Sequence, residues 1–241
     1  MGDLDGNGVP GVRELRLPRR LAVLRDPEGI ITAGHDNETA ALASRCPLRC
    51  KAVAMTKTEY YTATSIDGFI ADEHNSLDWL FAASATDDKD DRFGTFFAGV
   101  GAMAMGATTY QWVLEHDQLL ENPTKWQDYY GGTPCWVFTH RDLPPISGAA
   151  LSFVRGDVAS VHEKMVQASG DKNVWIIGGG DLVGQFLDQG LLDEIHLQLA
   201  PVMLGAGAPL LPRRLDASDL TLLAVERDRS FVFLSYAVAR G

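Results

Sequence analysis

The segment that most constrains the fold is a run of three glycines between an apolar stretch and an amphipathic one. Residues 173–177 predict a short strand and residues 180–189 predict a helix, with Gly178, Gly179 and Gly180 at the turn. Because glycine has no Cβ, backbone N–H groups can approach a ligand closely there, and the positive end of the helix dipole points the same way. Such a turn holds a phosphate or pyrophosphate, but it is also a common tight turn without a ligand.

Strands and helices alternate along most of the chain from Glu59 onward. Predicted strands cover residues 60–66, 101–106, 134–139, 151–154, 173–177 and 194–200; predicted helices cover 87–100, 108–114, 158–168 and 180–189. This alternation predicts a largely parallel α/β sheet. Two alternating runs at 220–226 and 230–239, linked by residues 227–229, predict a closing antiparallel hairpin.

Residues 1–54 differ from the remainder of the chain. They are rich in Gly, Pro and Arg, and they show no sustained period of 2 or 3.6 residues. The hypothesis is a disordered N-terminal extension, and a start codon assigned too far upstream would explain it. Met55 is then a natural beginning for a domain that covers residues 55–241.

Composition excludes several classes of function. The net charge of −11 argues against a nucleic-acid partner, because phosphate backbones select for Lys and Arg. No apolar run approaches the roughly 20 residues of a membrane span. Cys46, Cys50 and Cys135 form no CxxC pair, so the sequence predicts neither a disulfide framework nor a metal site. A reducing cytoplasm is the expected location.

Four motifs occur in a fixed order, at residues 64–71, 105–110, 176–180 and 200–207. Together they resemble the dihydrofolate-reductase-like superfamily, and within it the C-terminal reductase domain of the bacterial bifunctional riboflavin-biosynthesis deaminase-reductase. The resemblance covers about residues 57–240. It implies a mostly parallel central sheet with flanking helices and an antiparallel C-terminal hairpin, and NADPH as cofactor. The H-x-E and P-C-x-x-C signatures of a deaminase domain are absent, so a stand-alone reductase is expected.

The resemblance also implies the cofactor-binding residues. The pyrophosphate-binding turn of the family matches Ile177, Gly178, Gly179, Gly180, Asp181 and Leu182, and its second phosphate-binding turn matches Gly106, Thr108 and Thr109. The site of the adenosine 2′-phosphate matches Thr139, His140 and Arg141. The loop that covers the nicotinamide matches Thr64, Gly68 and Ile70. Two alternatives stay open here. Thr108 is also a typical helix cap, and Arg141 also fits a solvated Arg-Asp turn.

Reduction of an imine-like bond requires a proton, so a carboxylic acid or an ordered water should lie near the substrate. Asp67 and Asp78 are the candidates, although Asp-Gly favours a turn role for Asp67 and a helix N-cap is the alternative for Asp78. The acid of true folate reductases aligns near Ala83, which argues against folate reduction. Trp79, Phe81 and Tyr110 are predicted to line a flat heteroaromatic pocket, with core packing as the alternative.

The predicted function is an NADPH-dependent reductase of a pterin- or pyrimidine-type small molecule. It resembles the 5-amino-6-(5-phosphoribosylamino)uracil reductase of riboflavin biosynthesis. The alternative is a non-catalytic nucleotide-binding protein that retains the fold, since fold does not determine function. A homodimer is expected, as is common in the family, with Leu197, Leu199, Val202 and Leu204 as the apolar residues available to support it.

Overall fold

A computed structural model describes residues 55–84 and 92–240. The predicted N-terminal extension, residues 1–54, lies outside the described residues, as do the first five residues of the helix predicted over 87–100. In the described part, no helix combines the length and the apolar character needed to cross a bilayer.

The chain alternates strands and helices as the sequence predicts. The strands are β1 (Thr58–Thr64), β2 (Phe69–Ala71), β3 (Val100–Gly106), β4 (Cys135–Phe138), β5 (Leu151–Val154), β6 (Asn173–Gly178), β7 (Glu194–Leu199), β8 (Ala208–Pro209), β9 (Leu220–Asp228) and β10 (Phe231–Val238). The helices are α1 (Asp78–Ser84), α2 (Arg92–Ala98), α3 (Ala107–His116), α4 (Thr124–Tyr130), α5 (Val158–Ser169) and α6 (Gly180–Asp188).

Eight strands form one sheet in the order β5-β4-β3-β6-β1-β7-β10-β9. The first six of these run parallel, whereas β10 is antiparallel to both β7 and β9. Strands β2 and β8 form a separate antiparallel pair. The architecture confirms the predicted fold class, a mostly parallel sheet with flanking helices that an antiparallel C-terminal hairpin completes.

Both faces of the sheet centre are covered, which explains why β3 is apolar at every position. Alternate residues of a strand point to opposite faces. Ala102 and Ala104 belong to one buried cluster with residues of α5 and α6, whereas Met103 and Met105 belong to a second cluster with residues of α3 and α4. A strand buried on both faces has a continuous apolar sequence instead of an alternating one.

The structure corrects the sequence prediction at several elements. The helix predicted to end at residue 100 ends at Ala98, because Gly99 turns the chain and Val100 already belongs to β3. Strand β9 includes two of the three residues predicted to link the hairpin, and Arg229, with a φ of +49°, begins the actual turn. Helices α1 and α4 and strand β8 were not predicted, because seven-residue helices and a two-residue strand are too short to show a period.

Candidate functional site

The carboxyl ends of β3 and β6 lie side by side, because these strands are neighbours in the sheet. From β3 the chain passes through α3 and α4 to β4 on one side, and from β6 it passes through α6 to β7 on the other side. Ligands of open α/β sheets bind where the connections diverge in this way. Gly106 is the N-cap of α3 and Gly179 is the N-cap of α6, and neither helix has a side-chain cap. The N–H groups of two helix N-termini are therefore available to an anion.

The three glycines of the turn differ in what a side chain at each position would meet. Gly178 has a φ of +144°, which side-chain-bearing residues rarely adopt, and its peptide bond to Gly179 is cis. A Cβ on Gly180 would lie 2.3 Å from the carbonyl oxygen of Pro209, so that position is closed by packing. A Cβ on Gly179 would meet only Ile70 Cδ1, at 4.0 Å. Of the three glycines, Gly179 is thus the one where an added Cβ would have the most room.

The turn at Gly106 and the glycine turn, which the resemblance matches to phosphate binding, lie close together. A Cβ on Gly106 would lie 3.7 Å from Gly178 O and Gly179 N, and a Cβ on Gly178 would lie 3.6 Å from Thr109 Oγ1. Thr108 is exposed in the first turn of α3, and the cap interpretation is wrong because Gly106 holds the N-cap position without a side-chain hydrogen bond.

Three of the residues predicted to bind the cofactor at the glycine turn have side chains that contact other parts of the protein. The Asp181 carboxylate accepts a hydrogen bond from Gln185 Nε2 at 3.0 Å and lies 3.4 Å from Arg213 Nη1. Leu182 is buried in the first core cluster, and Ile177 packs against the second. These residues can therefore reach a bound phosphate only through their backbone groups, and their place in a cofactor site stays a prediction.

Asp67 ties the loop after β1 to residues 204–205. Its carboxylate accepts hydrogen bonds from the Ser65 hydroxyl at 2.6 Å and from the backbone N–H of Gly205 at 2.7 Å, with Leu204 N at 3.1 Å. The Ser65 hydroxyl and then the Gly205 N–H lower the pKa of this carboxyl to about 2. Asp67 is therefore ionised near neutral pH. The contacts of Asp67 fit its turn-stabilising alternative, and a catalytic role for this residue stays a prediction.

Backbone geometry and hydrogen bonds also fix other residues of this loop. Gly68 has a φ of +83°, which the turn requires. The Thr64 hydroxyl donates to the carbonyl oxygens of Ser65 and Phe69, so it is not directed at a cofactor. Ile70 follows in β2 and reaches the open side of Gly179.

Asp78 lies exposed in the first turn of α1. Its backbone N–H donates to Ser76 Oγ at 3.0 Å, and because Asp78 is the first residue of the helix, the N-cap alternative for Asp78 is wrong. The structure does not place its carboxylate in either of the two cavities described below.

A cavity of about 270 Å³ lies at the carboxyl ends of β4 and β5. It is lined by Thr139, Arg141, Asp142, Leu143, Phe153 and Arg155. The Arg141 N–H donates to Thr139 Oγ1 at 2.9 Å, while His140 and the Arg141 side chain are exposed. Sequence reasoning missed Arg155, although it follows β5 as Arg141 follows β4, and parallel strands bring such positions together.

The predicted aromatic pocket does not form as expected. Tyr110 is fully buried and its hydroxyl donates to the carbonyl oxygen of Pro144 at 2.6 Å, so it is a core residue, and burial raises its pKa to about 12. Phe81 stacks on His116, with ring centroids 5.1 Å apart. Trp79 is half-buried, and neither it nor Phe81 lines the two cavities described here.

The larger cavity, of about 600 Å³, lies between α2 and the strands β1, β7, β10 and β9. Its lining consists of Tyr61, Arg92, Thr95, Phe96, His196, Leu197, Ala224, Glu226, Asp228, Phe233, Leu234 and Ser235. Tyr61 stacks on Phe96 at 4.5 Å, and the Arg92 guanidinium lies 4.3 Å from the Phe233 ring centroid. Sequence reasoning missed this cavity; the alternation of Glu194, His196 and Gln198 along β7 was the available signal of a polar face.

Strand β1 runs from the wall of the large cavity toward the loop that contacts the glycine turn. Tyr61 lies in the cavity wall and Thr64 ends the strand three residues later, a separation of about 10 Å along an extended chain. The loop that follows carries Ile70 to Gly179. One strand thus borders the large cavity and leads to the loop that contacts the glycine turn.

Comparisons with known proteins show the family of this chain. The Bacillus subtilis (strain 168) protein YwjB, named as uncharacterized, is 30% identical over 76% of this chain and 98% of its own length. A Shewanella sp. PV-4 structure, named provisionally for riboflavin biosynthesis, shares 26% identity and a TM-score of 0.62 over 77% of this chain and 100% of that one. The riboflavin biosynthesis protein RibD of Corynebacterium ammoniagenes is 27% identical over 62% of this chain but 44% of its own length. Residues 59–233 match the RibD C-terminal domain family, and the chain belongs to this family.

Proposed function

We propose that the protein is an NADPH-dependent reductase of a pterin- or pyrimidine-type small molecule, acting in the cytoplasm as a homodimer. The observation that carries the proposal is the pair of helix N-termini at Gly106 and Gly179, which lie close together and have no side-chain caps. The match to the RibD C-terminal domain family and the riboflavin-biosynthesis name of a relative support this proposal.

The residues around the two helix N-termini are suited to hold NADPH. The open side of Gly179 is a cradle that a Cβ would fill, and the N–H groups of α3 and α6 suit a pyrophosphate. Arg141 and Arg155 border the smaller cavity, where their guanidinium groups suit a 2′-phosphate dianion. Ile70 lies over Gly179 and would pack on the nicotinamide ring. When bound, the cofactor supplies the hydride, and the protein supplies position and water exclusion.

The substrate is assigned to the cavity beside β1. The stacked rings of Tyr61 and Phe96 present a flat wall, and His196 and Ser235 add polar groups for orientation. A heteroaromatic ring with exocyclic polar groups matches such a lining, since small-molecule pockets combine apolar walls with few polar contacts.

A cofactor titration tests the proposal. The five tryptophans give an intrinsic fluorescence signal, and NADPH and NADH are titrated side by side. We expect Gly179→Asp to abolish NADPH binding, because it places a carboxylate where the pyrophosphate lies. Gly132→Asp is the matched control, since a Cβ on Gly132 meets no atom within 4 Å. Equal binding by both variants, or no binding to the folded wild type, would contradict the cofactor site.

Turnover separates the two candidate functions. A panel of oxidised pterins and ribosylaminopyrimidines is offered with NADPH, and cofactor oxidation is followed by absorbance. Tight NADPH binding without turnover of any compound would favour a non-catalytic nucleotide-binding protein.

A further inference from the structure

Two glutamates and one histidine converge on one face of the sheet beside the large cavity. Glu59 lies opposite Glu194 in the parallel pairing of β1 with β7, and His196 lies two residues further along β7. The ligand atoms of these three side chains lie within 4.8 Å of one another. The strand register thus assembles a compact set of one nitrogen and two carboxylate donors.

Each of the three side chains is held by a further residue. Lys57 Nζ donates to Glu194 Oε1, and Asn173 Nδ2 donates to Glu59 Oε1 at 2.9 Å. The Ser235 hydroxyl lies 2.9 Å from His196 Nδ1. When Nδ1 carries the ring proton and donates it to Ser235, the lone pair of Nε2 faces the two carboxylates. Outer partners of this kind orient metal-ligating histidines and carboxylates.

The centre of the cluster holds a buried ring nitrogen without a hydrogen-bond partner among the described residues, between two carboxylates. His196 Nε2 is buried without a hydrogen-bond partner in the described chain; it lies 3.3 Å from Glu194 Oε2 and 3.9 Å from Glu59 Oε1. The side chains of Glu59 and Glu194 are only 9% and 12% exposed. Two adjacent buried carboxylates are unfavourable unless a cation pairs with them, and Lys57 contacts only the outer oxygen of Glu194.

We propose that Glu59, Glu194 and His196 bind one divalent transition-metal ion of the Zn²⁺ class. Imidazole and carboxylate are both zinc ligands, and a set of three protein ligands leaves a fourth position open. His196 also lines the 600 Å³ cavity, which provides an entry path and space for a water or a ligand oxygen on the metal. The proposal stands independently of the reductase function.

Cobalt titration of the untagged full chain tests the site, because protein-bound Co²⁺ absorbs visible light and substitutes for Zn²⁺. After removal of metals with a chelator, we expect one equivalent of Co²⁺ to bind with a visible absorption band that Zn²⁺ displaces. His196→Gln and Glu194→Gln should each weaken binding at least tenfold. His74→Gln is the matched control, since His74 is exposed on the loop after β2 and should leave binding unchanged.

The competing arrangement places a proton on Nε2, between the two carboxylates. It requires no metal, and it predicts that the folded wild type gives no Co²⁺ band. That result would overturn the proposal, as would equal Co²⁺ affinity in the wild type and His196→Gln, which would locate the metal elsewhere in the chain. Glu194→Gln keeps the shape of the side chain, so it provides the comparison if His196→Gln fails to fold, and circular dichroism establishes folding for each variant.

Discussion

Asp67 is a carboxylate that the surrounding loops hold in its charged form. Its folded-state pKa of about 2 lies below the ordinary value of 3.8. The contribution of the carboxylate to stability is therefore fully present above about pH 4 and is lost as the pH falls through about 2. We expect Asp67→Asn to lower the melting temperature at pH 7, and the difference from wild type to shrink between pH 4 and pH 2.

Thermal unfolding of both proteins at several pH values checks this expectation. Asp78→Asn removes an equally exposed aspartate that makes no comparable set of contacts, and it should leave the melting temperature near that of the wild type. A constant difference between wild type and Asp67→Asn down to pH 2 would show that the carboxylate charge is not what ties the loops.

Gly179 and Gly180 are neighbours with opposite tolerance for a side chain. Gly180→Ala should destabilise the fold by about 1–3 kcal/mol, the usual range for overpacking, because its Cβ would lie 2.3 Å from Pro209 O and 2.5 Å from Leu210 O. Gly179→Ala should leave stability unchanged, since its Cβ meets only Ile70 Cδ1 at 4.0 Å. The same methyl group occupies the ligand space, so NADPH affinity should fall more than about tenfold, or about 1.4 kcal/mol.

Denaturant unfolding and cofactor titration of both variants separate the two roles. If Gly179→Ala unfolded more easily than Gly180→Ala, the packing assignment would be reversed. The sequence locates the glycine turn, but it does not show why each glycine is needed. Those reasons depend on residues 209–210 and on Ile70, which approach the turn only in the folded chain.

The parallel ends of β4 and β5 bring two arginines to one cavity. We expect Arg141→Ala and Arg155→Ala each to weaken NADPH binding by about ten- to hundredfold, the usual contribution of hydrogen bonds to a charged group. NADH lacks the 2′-phosphate, so its affinity should change little. Fluorescence titration with both cofactors measures the ratio.

The control for this pair is Lys164→Ala, which removes one positive charge from an exposed position on α5. Its effect on NADPH binding should be negligible. Equal weakening of NADPH and NADH by Arg141→Ala would remove Arg141 from the 2′-phosphate site, and an effect of Lys164→Ala of similar size would indicate a general charge effect.

Elements with a clear hydrophobic period could be predicted from the sequence, whereas a site that depends on the register between two strands could not. The strands β3, β6 and β7 and the helix α5 agree with their predicted ranges to within one or two residues, because the apolar pattern of each is set locally. The cluster of Glu59, Glu194 and His196 depends on which residue of β1 faces which residue of β7. That register follows from the packing of the whole sheet, so no local pattern in the sequence reports it.

At the scale of the whole molecule, the C-terminal strands expose an apolar surface on the edge of the sheet. Leu197, Leu234 and Val225 lie opposite one another across β7, β10 and β9, on the face that carries the first core cluster. Leu222 and Val225 on the outermost strand are 51% and 58% exposed. The residues expected to support a dimer, Leu197, Leu199, Val202 and Leu204, are themselves half-buried, so β9 provides the more exposed part of this surface.

An uncovered apolar edge strand favours self-association, because it offers both unpaired backbone groups and apolar side chains. A stable dimer buries about 800 Å² on each partner, which requires the whole row across β7, β10 and β9 and not a single residue. We expect the full chain to elute as a dimer by light scattering, and Val225→Lys to convert it to a monomer, because a charge at this exposed end of the row would be desolvated in the interface. Leu120→Lys changes a residue of similar exposure, 52%, that lies outside these strands, and it should leave the dimer intact. A wild type that stays monomeric at all concentrations, or two variants that behave alike, would rule out this surface as the interface.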